Sequence, residues 1–210
     1  MNVKSMRFVS VVALALLLAT VGCSGRSVTG WNPETRTVTL FVPTTVPVPD
    51  GYSYLGTTKV LVTGETDVIT VSPTDVISSD VFVKGDSVLL AQRLVKTNRV
   101  AQFRYLGGSK TEAWGSEWRT REYGLDTAQA NSEFASYLSF LRENNVTVPA
   151  HMSVRVLDKL ASDFILVRMI TLEPAADATA FAELSPVPSF DRMYDQELAT
   201  EAKKSAYFVD

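Results

Sequence analysis

The chain contains one cysteine and one histidine in 210 residues, and this scarcity excludes several kinds of site. A single thiol cannot form an intrachain disulfide, so packing and hydrogen bonds alone must hold the fold together. A single histidine, His151, excludes a metal site built on two histidines, and the sequence has neither an HExxH nor a CxxC motif. We therefore expect no metal centre and no cofactor.

Basic residues are also few. Twenty lysines and arginines stand against 23 aspartates and glutamates, which gives a formal net charge of −3. The lysines and arginines form no cluster, and an acidic chain has no electrostatic reason to bind nucleic acid. We therefore expect no nucleic-acid partner.

The chain has one long apolar run, residues 8–21, which is interrupted only by Ser10 and Thr20. Its 14 residues fall short of the roughly 20 that a membrane-spanning helix needs. Lys4 and Arg7 precede the run, and no acidic residue does. A basic start followed by a short apolar run is typical of a cleaved signal peptide, which predicts such a peptide over residues 1–22.

The single cysteine follows this run directly. The sequence there is Leu18-Ala19-Thr20-Val21-Gly22-Cys23-Ser24. It resembles the lipobox of bacterial lipoproteins, in which small residues precede a cysteine that becomes lipidated and then N-terminal. The resemblance implies three acyl chains on Cys23, which exceeds the two hydrophobic signals that stable anchoring takes. The alternative is an ordinary secretory signal with a chance cysteine near its cleavage site.

The residue after the cysteine bears on location. In lipoproteins, aspartate at that position is the main signal for retention in the inner membrane, and here the residue is Ser24. The resemblance therefore implies an outer membrane location, facing the periplasm, where the source has two membranes.

Without residues 1–22 the chain has 188 residues and a net charge of −5. That length suits one domain, or a domain with an added tail. We assign residues 23–35 to the lipidated N-terminus and a short tether, residues 36–174 to the domain, and residues 175–210 to an acidic loop and a C-terminal helix packed on the domain or trailing it. Trp31 could rest at the headgroup level or pack on the domain, and we favour packing.

The patterns of the mature chain predict an α+β fold: an antiparallel, strand-rich sheet with one long helix packed on it and a C-terminal helix. An N-cap acid, Asp126, begins the long helix, and Asn144-Asn145 ends it. The segment after Phe164 is apolar on both faces, so we expect both of its faces to be covered. The other predicted elements are strands at 36–42, 87–95, 101–105 and 111–123, two short strands around a turn at 63–66, a hairpin of 152–157 with 164–172, and a helix at 191–207.

Three glutamates in one segment are the main candidates for catalysis. The sequence has no GxSxG, Walker or SxxK motif. On one continuous strand Glu112 and Glu122 would share a face, with Glu117 on the other. Two such acids could perform acid–base hydrolysis of a glycoside, but solvated acids on a sheet face explain the same pattern. We therefore predict that the protein is not an enzyme, with a carboxylate-based envelope hydrolase as the alternative.

Trp114 and Trp118 are the strongest candidates for a binding surface. Four residues apart, they would share a face of a strand or a helix, and two parallel indoles could form a stacking platform for sugar or peptide. Large aromatic side chains also dominate ordinary cores and interfaces. We favour a core role for the pair, with a partner surface and a sugar platform as alternatives.

Arg168 interrupts an otherwise apolar strand. A buried arginine requires a carboxylate or several carbonyl groups, because unpaired burial of a charge is costly. We favour a structural ion pair or a position near an exposed edge, and a ligand anion is the alternative.

The sequence thus predicts a lipid-anchored envelope protein that binds or scaffolds other components. The expected partners are the membrane, through lipid on Cys23, and an envelope protein or a cell-wall polymer. A carbohydrate- or peptide-binding module that uses Trp114 and Trp118 is the alternative, with Arg168 as a third candidate on the ligand or partner surface.

Overall fold

The computed structural model describes residues 29–63, 74–97, 103 and 108–188. The signal peptide with Cys23, most of the predicted strand at 101–105 and the predicted helix at 191–207 lie outside these residues. Within them, no helix combines the length and the apolar character needed to cross a membrane.

Ten strands and two helices make up the described chain. In chain order they are β1 (Gly30–Asn32), β2 (Thr37–Phe41), β3 (Thr44–Pro47), β4 (Ser53–Thr63), β5 (Thr74–Lys84), β6 (Ser87–Lys96), β7 (Ser109–Ala113), β8 (Ser116–Asp126), α1 (Ser132–Glu143), β9 (His151–Ser162), β10 (Ile165–Pro174) and α2 (Ala178–Ala182).

The strands form two antiparallel sheets. The larger has seven strands in the order β4-β5-β6-β10-β9-β8-β7, and the smaller has three in the order β1-β2-β3. The antiparallel, strand-rich prediction is confirmed, and so is the hairpin of β9 with β10.

Strand β10 shows how the layers stack. It lies at the centre of the large sheet, between β6 and β9. Ile170 and Leu172 pack in a core with the side chains of α1, whereas Val167 and Met169 pack in a second core with β2 and β3. Successive residues of a strand face opposite ways, so the large sheet is covered by α1 on one face and by the small sheet on the other. The expectation that both faces of this strand are covered is confirmed.

Helix α1 begins later than the sequence pattern predicts. Asp126 is the last residue of β8, and its side chain accepts a hydrogen bond from the backbone N–H of Ala128 in a turn. The N-cap is Asn131, whose Oδ1 accepts from the backbone N–H of Phe134 at 3.1 Å. The predicted end is confirmed, because Asn144 is the C-cap.

The N-cap assignment makes a prediction about stability. Asn131→Ala leaves a backbone N–H of the first turn without its acceptor, and we expect the free energy of unfolding to fall by about 0.5–2 kcal/mol. Gln129→Ala is the control, since Gln129 is exposed and lies outside the helix. Urea denaturation of both variants measures the difference. A larger loss for Gln129→Ala would contradict the assignment.

One turn was not predicted. The predicted return strand at 111–123 is two strands, β7 and β8, joined at Trp114-Gly115. Strand β4 runs to Thr63 and pairs with β5, which starts at Thr74. Apart from Thr63, the turn predicted at 63–66 and the short strand predicted after it lie outside the described ranges.

The domain begins before its predicted start at residue 36, and its C-terminal segment follows one of the two predicted arrangements. Strand β1 lies inside the predicted tether, and Trp31 packs in the core of the small sheet, 4.9 Å between ring centroids from Phe82. At the other end, residues 185–187 run along β8: Gly124 donates its backbone N–H to Ser185 and accepts one from Val187. The described part of the C-terminal segment therefore packs on the domain.

Candidate binding site

The two tryptophans do not form a flat platform. Trp114 and Gly115 form the tight turn between β7 and β8, with φ of 49° and 71°. Trp114 is 40 % exposed, whereas Trp118 is 1 % exposed. Their ring centroids are 5.1 Å apart and their planes meet at 81°. The alternative of a platform of two parallel indoles is therefore wrong, because a turn separates the two residues.

Trp118 belongs to the core. It packs with Val167 and Met169 beneath the small sheet, and its indole N–H donates to the Ala113 carbonyl at 3.0 Å. The favoured core role is thus found for one ring of the pair, and Trp114 is the only one of the two that a partner could touch.

The same turn separates the glutamates. Glu112 lies directly opposite Glu117 across the hairpin, so these two share a face. Glu122, five residues after Glu117 on β8, faces the other way, where Arg155 donates to it at 2.7–2.9 Å. The expectation that Glu112 and Glu122 share a face is wrong, and the structure does not bring this pair of acids together.

Arg168 is buried in an ion-paired cluster. Its Nε donates to Asp158 Oδ1 at 2.7 Å, and Arg121 Nη2 donates to Asp158 Oδ2 at 2.8 Å. Asp158 and Arg168 are 2 % and 1 % exposed. The favoured structural ion pair is therefore present. Arg168 follows Val167 in β10 and so lies on the α1 face, opposite the face that holds Trp118. The three candidate surface residues do not share a surface.

A second buried polar group lies nearby, and the sequence analysis missed it. The Tyr137 hydroxyl of α1 accepts from Gln92 Nε2 at 2.8 Å and lies 3.0 Å from Ser79 Oγ. Burial raises the pKa of Tyr137, and the nearby Glu133 carboxylate raises it further, so the hydroxyl stays protonated. These bonds fix α1 to the centre of the sheet. The available signal was Gln92, a polar residue directly after the apolar run of β6.

His151 serves a packing role at the start of β9. Its ring stacks on Phe181 of α2, with centroids 4.4 Å apart and planes at 22°. Among residues 29–63, 74–97, 103 and 108–188, no three His, Cys, Asp or Glu side chains are placed to hold a metal ion.

A polar cavity lies on the face of the large sheet that the small sheet covers. Its volume is about 290 Å³, and one of its lining residues is Thr29, where the described chain begins. Strands β4, β5 and β6 form its floor, and residues of β1 and β2 form its rim. Gly30, at the rim, has φ of +124° and no side chain that would extend over Asp80. A Cβ at this position would lie 3.8 Å from Asp80 Oδ2.

The sheet register arranges the floor of this cavity in two rows. Lys59, Ser78 and Arg93 are directly opposite one another on β4, β5 and β6, so they share one face. Thr57 and Asp80 are neighbours in the adjacent row, and that row ends at Ala91 on β6. The Ser78 hydroxyl thus lies between the basic residues Lys59 and Arg93. In the adjacent row, the small side chain of Ala91 leaves space beside the Asp80 carboxylate.

Asp80 is held in place by hydroxyl groups. Its Oδ1 accepts from Thr57 Oγ1 at 2.7 Å and from the Tyr54 hydroxyl at 3.2 Å. Burial raises the pKa of Tyr54, and the Asp80 carboxylate raises it further, which keeps the phenol a donor. Both bonds go to one oxygen, and Oδ2 accepts no hydrogen bond from the described residues.

Within the described ranges neither basic side chain of the cavity, Lys59 or Arg93, forms an ion pair. By contrast, Arg155 is paired with Glu122. The cavity therefore presents free cationic donors and one free carboxylate oxygen.

Comparison of the chain with protein-family models, with curated proteins and with solved structures finds no match.

Proposed function

We propose that this protein is a lipid-anchored component of the cell envelope that binds or scaffolds other envelope components. The observation that carries the proposal is Cys23, placed directly after the short apolar run and the small residues Val21 and Gly22. In this proposal the protein is not an enzyme, its location is the outer membrane facing the periplasm where the source has two membranes, and its anchor is lipid on Cys23.

The start of the described domain supports this arrangement. Thr29 is six residues after Cys23, and six extended residues reach at most about 21 Å. A lipid on Cys23 would therefore hold the domain, and the part of its cavity that Thr29 lines, close to the membrane surface.

One end of the large sheet has the character of a surface that faces a membrane or a partner. Leu61, near the end of β4, is 67 % exposed, and Trp114 is 40 % exposed at the β7–β8 turn. The pairing of the seven strands puts the end of β4 and that turn at the same end of the sheet. Indole rings favour the headgroup layer and also protein interfaces, which supports a binding or scaffolding role at this end.

The anchor is tested by replacing Cys23 with serine in the native host. We expect the Cys23→Ser protein to leave the membrane fraction and to lose the mass increment and the incorporated labelled fatty acid, because the acylated thiol is gone. Membrane fractionation, fatty-acid labelling and intact mass measure the three effects.

Ser24→Asp is the matched control for this test. It keeps the cysteine, so we expect it to stay lipidated and, in a host with two membranes, to move to the inner one. A wild-type protein without a lipid increment, or a Cys23→Ser protein that remains in the membrane fraction, would contradict the proposal.

A further inference from the structure

We propose that the cavity over β4, β5 and β6 binds a small phosphate ester that carries a hydroxyl or amino group next to its phosphate. The proposal deepens the binding role given above but does not depend on the lipid anchor, because every residue of the site lies in the described domain.

The first step is the arrangement of the cations. Lys59 and Arg93 flank Ser78 in one row across three adjacent strands. Neighbouring strands are about 4.8 Å apart, so the two cationic residues start roughly 10 Å apart and can converge on one group above the serine. Two like charges on one face oppose each other unless an anion lies between them.

The second step is the unused donor capacity. Arg93 lines the cavity and is half-buried, and neither it nor Lys59 forms an ion pair with the described residues. A charged donor gains most from an ionised acceptor, because hydrogen bonds between charged groups are shorter and stronger than neutral ones. An anion in the cavity would supply that acceptor to both side chains.

The third step is the choice of anion. Arginine presents a planar fork of N–H donors that suits phosphate and carboxylate. Lys59 and the Ser78 hydroxyl add donors on the other side of the row. A phosphate ester offers three strong acceptor oxygens and a carboxylate only two, so the three-residue row matches phosphate better.

The fourth step is the neighbouring row. Asp80 Oδ1 is occupied by Thr57 and Tyr54, while Oδ2 points towards the rim at Gly30. An ionised carboxylate only accepts hydrogen bonds. A hydroxyl or ammonium group beside the phosphate would therefore be bound by Asp80 Oδ2, next to the space above Ala91.

Size limits the ligand to a head group. A cavity of about 290 Å³ is at the lower end of the range for small-molecule sites. It would hold a glycerol phosphate or an ethanolamine phosphate, and such groups occur both as soluble esters and as phospholipid head groups.

The test is calorimetric titration of the purified full-length protein in a buffer free of phosphate. The probes are glycerol 3-phosphate, phosphoethanolamine, inorganic phosphate, and lactate as a small hydroxycarboxylate. We expect both esters to bind more tightly than inorganic phosphate or lactate, and binding to weaken as salt is raised. Arg93→Gln and Lys59→Gln should each weaken ester binding by about 10- to 100-fold, which is the effect of losing a charged hydrogen bond.

Three further variants sharpen the result. Asp80→Asn should reduce the preference for the esters over inorganic phosphate, because the amide nitrogen does not accept. Lys110→Gln is the matched control: Lys110 is an exposed lysine of β7 that bonds to Glu117, outside the cavity, and its loss should leave binding unchanged. Thermal melts of each variant establish that it is folded, and Arg93→Lys provides a second variant that keeps the charge.

Vesicles distinguish the two sources of the ligand. Phosphatidylglycerol and phosphatidylethanolamine vesicles that displace the soluble ester would identify a lipid head group, and vesicles without effect would identify a soluble ester. Three results would overturn the proposal. They are the absence of binding of either ester, tighter binding of lactate than of the esters, and an ester affinity that is unchanged in both Arg93→Gln and Lys59→Gln. These results do not affect the membrane fractionation of the Cys23→Ser protein. The proposal of a lipid anchor and the proposal of a ligand in the cavity can therefore be refuted independently.

Discussion

Replacing Asp158 by asparagine is expected to lower the free energy of unfolding by about 3–5 kcal/mol. Asp158 accepts from both Arg168 and Arg121, and its side chain is only 3 % exposed. The substitution removes the negative charge between two guanidinium groups, and Arg168 is too deeply buried to be solvated instead. A loss of this size is a large part of the 5–15 kcal/mol that stabilises a typical domain.

The control is an ion pair with the same chemistry on the surface. Glu122 binds Arg155, but both side chains are more than half exposed, so Glu122→Gln should cost about 1 kcal/mol or less. Urea denaturation followed by circular dichroism gives both values. Equal losses for the two variants would show that the Asp158 cluster is solvated and not buried.

The sequence was sufficient to predict that Arg168 is ion-paired, but it was not sufficient to predict which residue is the partner. A lone arginine in an apolar strand has to be paired, which is a physical requirement and holds in any fold. The identity of the partner depends on register: Arg168 is opposite Asp158 because β10 pairs with β9 in one alignment, and a shift of one residue would move every side chain to the other face. Only the tertiary pairing supplies that alignment.

The errors in the elements have local physical causes. The sequence Trp114-Gly115 does not have the asparagine or aspartate that usually precedes glycine in such turns, so a continuous strand was the natural interpretation. The helix start was misplaced because Asp126 and Gln129 have the spacing of a capping box, while the cap that forms is Asn131. The missed turn changes the face on which the residues after it lie, and the prediction for the glutamates failed for this reason.

The polar cavity could not be predicted at all. Lys59, Ser78 and Arg93 are spread over 35 residues of sequence, and they become neighbours only through two strand pairings. The residue pattern of β5 did hold a signal, since Ser78 and Asp80 alternate with Ile77, Ser79 and Val81. Period-two alternation indicates which side chains share a face, but it cannot show that a second sheet covers that face and encloses a space.

Replacing Trp118 by alanine is expected to lower the free energy of unfolding by about 3–5 kcal/mol, because the ring is fully buried and its loss leaves a cavity. The Ala113 carbonyl also loses its donor, the indole N–H. The matched control is Trp114→Gly. That change removes an exposed ring and an edge contact worth about 0.5–1.5 kcal/mol, and glycine relieves the left-handed backbone at φ of 49°.

These opposing effects should leave Trp114→Gly within about 1 kcal/mol of the wild-type protein. The two tryptophans are four residues apart and touch each other, yet we expect one to be required for folding and the other to be free for contact with a partner or a membrane surface. Two measurements separate these roles. Denaturant unfolding gives the stability of both variants, and iodide quenching reports the exposure of the one tryptophan ring that each change leaves at this hairpin. Small and equal losses of stability would mean that both rings lie on the surface, and the stacking platform would then regain its support.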